Sequence, residues 1–191
     1  MKKQIIFYSQ GLRYEVELGA DKTVLIGATE KAQVYLSQQE MPIQLKVDGE
    51  EVFYQYGDEV GLLKNALSLG EVVFYLREEE TKIYDLLDLS EIQIGSHKGA
   101  LISLDVEIEL LLQKTQNQWI LTRMRGEFYK NNHLEQNDQQ LISFGDELSL
   151  GSVTIKLYPD EIWIQGPAQV GKQLTLREPS RYAFYEEYPD Y

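Results

Sequence analysis

Apolar and polar residues alternate with a period of two in almost every segment of the chain, which is the pattern of half-buried β-strands. The alternation is clearest in residues 14–18, where Glu15 and Glu17 separate three apolar side chains. The largely apolar residues 4–8 and residues 12–18 flank the turn-forming residues 9–11, so the pattern predicts a β-hairpin. The pattern is compatible with a helical turn or two only in residues 59–66 and 84–89.

The other strand candidates are short, and glycine, asparagine or aspartate separates many of them. Such spacing is typical of β-sandwiches and barrels, so we predict an all-β protein. Beyond the first hairpin, the predicted strands cover residues 23–26, 33–36, 43–47, 52–56, 72–76, 92–94, 100–104, 107–112, 119–123, 127–129, 154–158 and 161–164.

The sequence also repeats itself. Residues 25–36 resemble residues 93–104, because both contain Ile-Gly followed by a small residue and both end in Leu. Residues 67–72 resemble residues 148–153 in the same order, through a shared Leu-Ser-Leu-Gly and a valine two positions later. Two matches in the same order indicate a tandem repeat.

The repeat predicts one domain in residues 1–80 and a second in residues 81–165, with the charged stretch 78–82 at their boundary. The landmark glycines lie 43 residues apart in the first copy (27 to 70) and 56 apart in the second (95 to 151), so the second copy carries 13 additional residues. Residues 166–191 are expected to be a linker or tail. Five aromatic residues among the last ten keep open an interaction segment or a strand lying on the domain.

The composition narrows the possible functions. The 191 residues include 18 Lys and Arg against 31 Asp and Glu, a net charge of −13, so nucleic acids would be repelled over most of the surface. The absence of cysteine excludes disulfides, Cys-ligated zinc, iron–sulfur clusters and thiol catalysis, and it fits a reducing compartment. No apolar run approaches the roughly 18–20 residues of a bilayer crossing, and the N-terminal one is too short for a signal peptide. We expect a soluble cytosolic segment without direct membrane insertion.

The second copy resembles a forkhead-associated (FHA) domain. In that family an Ile-Gly turn opens the recognition edge, a hairpin of the type Gly-Thr-Phe-Val-Asn-Gly follows, and a Gly-Asp turn leads to the last strands. The first copy is similar to the family through fewer residues. The resemblance implies two tandem FHA-like β-sandwich domains. It rests on Ile94-Gly95, 119–121, Gly126–Leu134 and Leu141–Gly151 in the second copy, and on Ile26-Gly27, 56–58 and Leu69-Gly70 in the first.

Two tandem FHA-like domains in an acidic, Cys-free chain resemble the cytosolic N-terminal region of EssC/YukB-type proteins. These are membrane-anchored FtsK/SpoIIIE-family ATPases of Gram-positive type VII (WXG100, ESX) secretion, and the resemblance covers about residues 1–165. It implies a non-catalytic protein–protein interaction module at the cytoplasmic face of the cell membrane, with other secretion components as partners. It also implies an oligomeric full-length protein whose membrane spans and ATP-binding domains follow beyond residue 191.

Most FHA domains bind phosphothreonine through an Arg after the first Gly, a Ser-x-x-His pair and an Asn near the hairpin, because a phosphate of charge about −2 needs a guanidinium fork and further donors. Here Ala28 and Ser96 occupy the Arg position, neither copy has Ser-x-x-His, and the second copy has acidic residues where the phosphate would approach. We expect docking without phosphothreonine recognition, and phosphothreonine binding by the second domain is the alternative. The candidate interaction loops contain Ala28, Thr29, Ser96, His97, Lys98, Arg123, Arg125, Asn131 and Asn132.

Residues 166–173 match the Gly-x4-Gly-Lys part of a nucleotide-binding P-loop, which gives an enzyme-class alternative. The match stops at Gln173, which cannot supply the Ser or Thr hydroxyl that holds Mg²⁺, and Pro179 comes too soon for a long helix. His97 and His133 are the only imidazoles, and the acidic residues lack calcium-loop spacing. We expect no catalytic residue, no cofactor and no metal ligand.

Overall fold

The computed structural model describes residues 2–64, 66–77, 81–86, 89–116 and 118–177, and within these ranges every regular element is a β-strand. The predicted all-β fold class is confirmed. The strands are β1 (Lys2–Ser9), β2 (Leu12–Gly19), β3 (Thr23–Gly27), β4 (Val34–Tyr35), β5 (Ile43–Asp48), β6 (Glu51–Tyr56), β7 (Glu59–Leu62), β8 (Leu67–Leu69), β9 (Val72–Arg77), β10 (Lys82–Asp85), β11 (Glu91–Gly95), β12 (Ile102–Ser103), β13 (Glu109–Thr115), β14 (Gln118–Arg125), β15 (Tyr129–Lys130), β16 (His133–Leu134), β17 (Gln139–Ile142), β18 (Glu147–Leu150), β19 (Val153–Leu157), β20 (Glu161–Gln165), β21 (Gln169–Val170) and β22 (Thr175–Arg177).

The chain divides into two compact units. The described residues up to 77, together with Asn132–Leu134, belong to the first unit, and the other described residues belong to the second. The segment 132–134 falls in the expected second domain by sequence, yet it belongs to the first unit.

The first unit is a β-sandwich. One of its sheets has the strand order β16-β2-β1-β9-β8 and the other has the order β4-β3-β5-β6-β7. The β1–β2 hairpin turns at Gln10 and Gly11, whose φ angles of 53° and 74° are those of a two-residue type I′ turn. Alternate strand residues fill the core, where the rings of Phe7 and Phe74 lie 5.5 Å apart. The most deeply buried side chains are Ile5, Phe7, Leu18, Ile26, Ile43, Leu45, Val47, Val52, Val72 and Phe74.

The second unit is a β-sandwich with its own core. Its sheets have the strand orders β22-β10-β20-β19-β18-β15 and β17-β14-β13-β11-β12-β21. Trp119 on β14 is fully buried, and its indole N–H donates to the Tyr158 carbonyl oxygen at 3.3 Å. The deeply buried side chains around it include Ile92, Ile94, Ile102, Leu110, Leu112, Leu121, Phe128, Leu148, Leu150, Ile155, Leu157 and Ile162.

The expectation of a helical turn in residues 59–66 is wrong. A two-residue turn at Gly57 and Asp58, with a φ of 60° at Gly57, returns the chain beside β6, and residues Glu59–Leu62 pair with it as β7. The expectation for residues 84–89 is wrong at its beginning, because β10 pairs with β20 up to Asp85. Residues 87 and 88 lie outside the described residues. Pairing with a neighbouring strand decided both segments, because a short apolar run does not fix its own conformation.

The expectation of a linker or tail from residue 166 is wrong as far as residue 177. Strand β21 pairs with β12, and strand β22 pairs with β10. Leu174, which lies between them, is 6% exposed, so burial of its side chain favours packing on the second unit. The aromatic run in residues 182–191 lies outside the described residues.

Candidate functional site

The loop after β3 in the first unit is closed by amide hydrogen bonds. Ala28 follows Gly27, and its N–H donates to the Gln39 carbonyl oxygen at 2.8 Å. The carbonyl oxygen of Thr29 accepts from the N–H of Ala32 at 3.1 Å. The two predicted interaction residues of this unit therefore form a self-contained turn.

Gln39 holds this loop through its side chain as well. It is 3% exposed; its Nε2 donates to the Met41 carbonyl oxygen at 2.8 Å, and its Oε1 accepts from the Glu71 N–H at 3.0 Å. These neutral groups are already paired with each other. They offer no positive charge to an anion.

The equivalent loop of the second unit brings four polar side chains together: Ser96, His97, Glu109 and Arg125, which we call the Glu109 cluster. His97 Nδ1 lies 2.6 Å from Glu109 Oε2, and the Ser96 hydroxyl donates to Glu109 Oε1 at 3.3 Å. The Arg125 guanidinium donates to Ser96 Oγ at 3.2 Å and lies 3.6 Å from Glu109 Oε1. The carboxylate thus occupies the point at which the donors of the cluster converge.

Strand pairing explains this arrangement. Gly95 on β11 lies opposite Glu109 on β13, and Glu109 lies opposite Arg125 on β14. Gly95 allows the close approach, because a Cβ atom there would overlap with the Glu109 carboxylate and lie 2.7 Å from the Ile108 carbonyl oxygen. The Glu109 side chain is 17% exposed and that of Arg125 is 60% exposed, so the guanidinium reaches a partly buried carboxylate from the solvent side.

Arg123 and Lys98, which the sequence grouped with these donors, are not in the cluster. Arg123 forms an ion pair with Asp138, with Nη2 and Oδ1 2.7 Å apart, and it also donates to the Glu135 carbonyl oxygen at 2.8 Å. These bonds hold the segment before β17. Lys98 is exposed and lines a shallow cavity of about 430 Å³ with Gly171 and other residues of the second unit.

The asparagines of the predicted hairpin serve different contacts. Asn131, with a φ of 51°, donates from its side chain to Asp146 Oδ1 at 3.1 Å and accepts from the Glu147 N–H at 3.0 Å. Asn132, with a φ of 72°, belongs to the first unit, where its Oδ1 accepts from the Arg13 guanidinium at 3.1 Å. Neither side chain contacts the Glu109 cluster.

Glu135 is a structural carboxylate that the sequence did not single out. Burial alone would raise its pKa, but the backbone N–H groups of Asn137 and Gln136 and the charge of Lys130 outweigh burial and hold the pKa below its usual value of 4.5. Its Oε1 accepts from these two N–H groups at 3.2 and 3.1 Å, and Lys130 Nζ lies 3.6 Å from its Oε2. This carboxylate therefore shapes the turn that precedes β17.

The P-loop-like segment has the wrong surroundings for a nucleotide. Its Gln169 and Val170 form β21, and its Gly171 N–H donates to the Leu101 carbonyl oxygen at 2.8 Å. A P-loop instead turns into a helix and points its free N–H groups at the phosphates. Within residues 166–177 the chain continues into a strand.

The described residues show neither a metal-binding cluster nor a membrane-spanning helix. They contain no group of three or more His, Cys, Asp or Glu side chains placed to hold a metal ion. In the same part of the chain, no helix has the length and apolarity needed to cross a membrane.

The architecture has a close counterpart among solved structures. The chain superimposes with a TM-score of 0.76 on the "N-terminal FHA domain from EssC a component of the bacterial Type VII secretion apparatus", covering 94% of this chain and 99% of that one. The chain has the FHA fold. At 16% sequence identity, the likeness concerns the fold, and it confirms the tandem FHA-like β-sandwich that the sequence resemblance predicted. No family model matches the sequence. No curated protein matches it either.

Within this FHA fold, sequence reasoning found Ser96, His97 and Arg125 but missed Glu109. Acidic residues after Leu104 were visible in the sequence as unfavourable neighbours for a phosphate. Only the register of β11 against β13 shows which of them enters the cluster.

Proposed function

We propose that this chain is a non-catalytic docking module of a type VII secretion ATPase, which binds another protein of the secretion machine without reading phosphothreonine. Its fold supports the first part, because a domain of the secretion component EssC has the same architecture. FHA domains are in general interaction modules, and the chemistry of the described loops offers no catalytic constellation.

The position of Glu109 is the observation that carries the second part. A phosphate of charge about −2 would have to displace this carboxylate from Ser96, His97 and Arg125 or be repelled by it. The cluster is therefore satisfied by the chain's own anion. In the first unit, Ala28 and Gln39 supply neutral groups that are already paired.

Isothermal titration of the chain with a phosphothreonine peptide library tests the absence of phosphate reading. We expect no binding in the micromolar range. Glu109→Gln is the matched variant, since it keeps the size of the side chain and removes its charge, and we expect it to gain measurable affinity for inorganic phosphate. Micromolar binding of any phosphopeptide by the unmodified chain would contradict the proposal.

The docking itself is tested with the purified components of a type VII secretion machine, each presented to the chain at low and at high salt. The net charge of −13 favours a partner with a basic surface, so we expect capture of one component that weakens as salt rises. Capture of none would count against docking.

The second candidate is a phosphothreonine reader in the second unit. It is favoured by the convergence of Ser96, His97 and Arg125, which are the donor types that such a site needs. If this candidate is correct, a phosphopeptide binds to the unmodified chain and Arg125→Ala abolishes binding.

We also propose that the chain lies at the cytoplasmic face of the membrane and that ATPase domains and oligomerisation belong to the same protein. Sequencing the reading frame past residue 191 tests this directly. Two hydrophobic spans followed by complete Walker motifs are the expected result, and a stop codon would contradict it.

A further inference from the structure

Several sheets of the two units end on short strands, and β7 and β17 occupy equivalent edges of the two units. Among the described strands, β7 pairs only with β6, and β17 pairs only with β14. An edge strand presents backbone N–H and C=O groups to which another strand can pair, and proteins usually protect such edges with lysine, proline, a bulge or a covering element.

The outward groups of β7 belong to Val60 and Leu62. The Leu63 N–H donates to the Val52 carbonyl oxygen at 2.8 Å in the register that pairs β6 with β7. Because hydrogen-bonded and non-hydrogen-bonded pairs alternate in an antiparallel ladder, Gly61 points its backbone groups toward β6, and Val60 and Leu62 point theirs away.

The same two residues also expose aliphatic side chains. Val60 is 65% exposed and Leu62 is 39% exposed, and both project to one face because side chains alternate along a strand. The half-buried Phe53 lies opposite Leu62 and extends this apolar strip onto β6. Neither lysine nor proline occupies an outward position of β7.

The surroundings of β7 are acidic. Residues 43–64, which contain β5, β6 and β7, carry five acidic residues against two lysines. The acids are exposed and occur at the two turns of this strand group. They are Asp48, Glu50, Glu51, Asp58 and Glu59. A net charge of −3 beside an apolar edge favours a strand with basic residues near its apolar ones.

The edge strand of the second unit provides an internal comparison. The Arg123 N–H donates to the Asp138 carbonyl oxygen at 2.7 Å, so the outward positions of β17 are Gln139 and Leu141. Leu141 is 57% exposed, but Gln139 is polar and the neighbouring Asp138 is already paired with Arg123. The β17 edge therefore has the same backbone geometry as β7, but only one of its two outward residues is apolar.

We infer that β7 is the docking edge of the chain, and that it accepts an extended segment of a partner protein in which apolar residues alternate with lysine or arginine. The inference rests on the proposed docking function and names the surface and the class of partner. The added strand hydrogen-bonds to the backbone of Val60 and Leu62, packs its apolar side chains on theirs, and places its basic residues near the five acids.

The probe is a capped nine-residue peptide of alternating Lys and Val, titrated into the isotope-labelled chain and followed by amide NMR shifts. We expect the shifts to concentrate on residues 59–62. Val60→Pro should weaken binding at least tenfold, because it removes an outward N–H and blocks the edge, and the inward hydrogen bonds of β7 are retained. Leu141→Pro is the matched control on β17 and should leave binding unchanged. A peptide of alternating Glu and Val should not bind.

A second variant protects the test against misfolding. If the amide spectrum shows that Val60→Pro does not fold, Val60→Lys keeps the backbone donor but adds a like charge, and it should also weaken the Lys-Val peptide at least tenfold. Equal affinity in the folded Val60 variants, or shifts that map to β17 or to the Glu109 cluster, would overturn the inference. Self-association of the chain that Val60→Pro abolishes would assign the edge to a second copy instead. A secretion component that still binds the Val60→Pro chain would leave the docking function standing and remove β7 from it.

Discussion

Each unit has one sheet with an equivalent strand order, and the units differ in the composition of their other sheet. In the first unit this sheet has the order β3-β5-β6-β7 and β3 ends at Gly27, and in the second it has the order β11-β13-β14-β17 and β11 ends at Gly95. Strands β9 and β19, which follow the Leu-Ser-Leu-Gly landmarks, have different neighbours: β9 lies beside the N-terminal strand β1, whereas β19 lies beside β20, which comes after it in the chain. The repeat thus coincides with equivalent strand orders in one sheet of each unit, whereas the neighbour of β9 precedes it in the chain and the neighbour of β19 follows it.

The units also differ in the connection that follows their third long strand. Residues 57 and 58 form a two-residue turn between β6 and β7, whereas residues 126–138 lie between β14 and β17. This longer connection contains Asn131, Glu135 and the Arg123 contacts, which organise the second unit. This connection is 11 residues longer than the turn of the first unit, so it holds most of the 13 additional residues counted between the landmark glycines.

The largest loss of stability is expected from substitutions in the two separate cores. Trp119→Ala should lower the stability of the second unit by about 3–5 kcal/mol, because it removes a fully buried indole and leaves a cavity. Phe74→Ala should cost the first unit about as much. Amide hydrogen exchange distinguishes the two units, since the amides of the mutated unit should lose protection first. Equal loss in both units from either substitution would contradict separate cores.

A smaller loss of stability is expected when alanine replaces the landmark glycine Gly27 or Gly95. In Gly95→Ala the new methyl group meets the Ile108 carbonyl oxygen at 2.7 Å and the Glu109 carboxylate, whereas in Gly27→Ala the nearest atom is Pro42 Cα at 3.0 Å. Overpacking of this kind costs about 1–3 kcal/mol, and Gly95→Ala should lie at the upper end. Urea unfolding of both variants shows which one loses more unfolding free energy. Gly27→Ala also places a Cβ atom at a φ of 158°, so a larger loss for that variant would show that backbone strain outweighs the crowding at Gly95.

The sequence predicted the elements that depend on local pattern and missed those that depend on partners. The β1–β2 hairpin was predictable because Gly11 favours the left-handed backbone and the residues of β2 alternate. Strand β7 was missed because four residues around Gly61 carry too little periodicity, and only pairing with β6 makes them a strand.

The same limit applies to the site. Ser96 and His97 were predictable from their place after Gly95, because the loop is local. Glu109 required the register of β11 against β13, a property of two strands that no single segment contains. The ion pair of Arg123 was not predictable for the same reason, since Asp138 becomes its partner only through the pairing of β14 with β17.

A moderate effect is expected at Asn131, in the connection that only the second unit has. Asn131→Ala should destabilise the second unit by about 1–2 kcal/mol, because it loses the hydrogen bonds to Asp146 and Glu147 and places a Cβ residue without a compensating bond at a φ of 51°. Asn131→Gly removes the same bonds but adopts this φ freely, so it should cost less. Thermal unfolding distinguishes the two variants, and an equal loss would assign the whole effect to the hydrogen bonds.

The smallest expected effect is a pH dependence of stability that arises from Glu135 in the second unit. The pKa of Glu135 is held below 4.5 in the folded chain, so its contribution to stability is complete above the unfolded value and disappears as pH falls through the lower folded value. Unfolding midpoints measured between pH 7 and pH 3 should therefore decline less in Glu135→Gln than in the unmodified chain. Amide exchange should place the difference in residues 126–142, which lie around this turn. An identical pH dependence in both proteins would mean that the bonds from Gln136 and Asn137 and the charge of Lys130 do not favour the ionised form of Glu135.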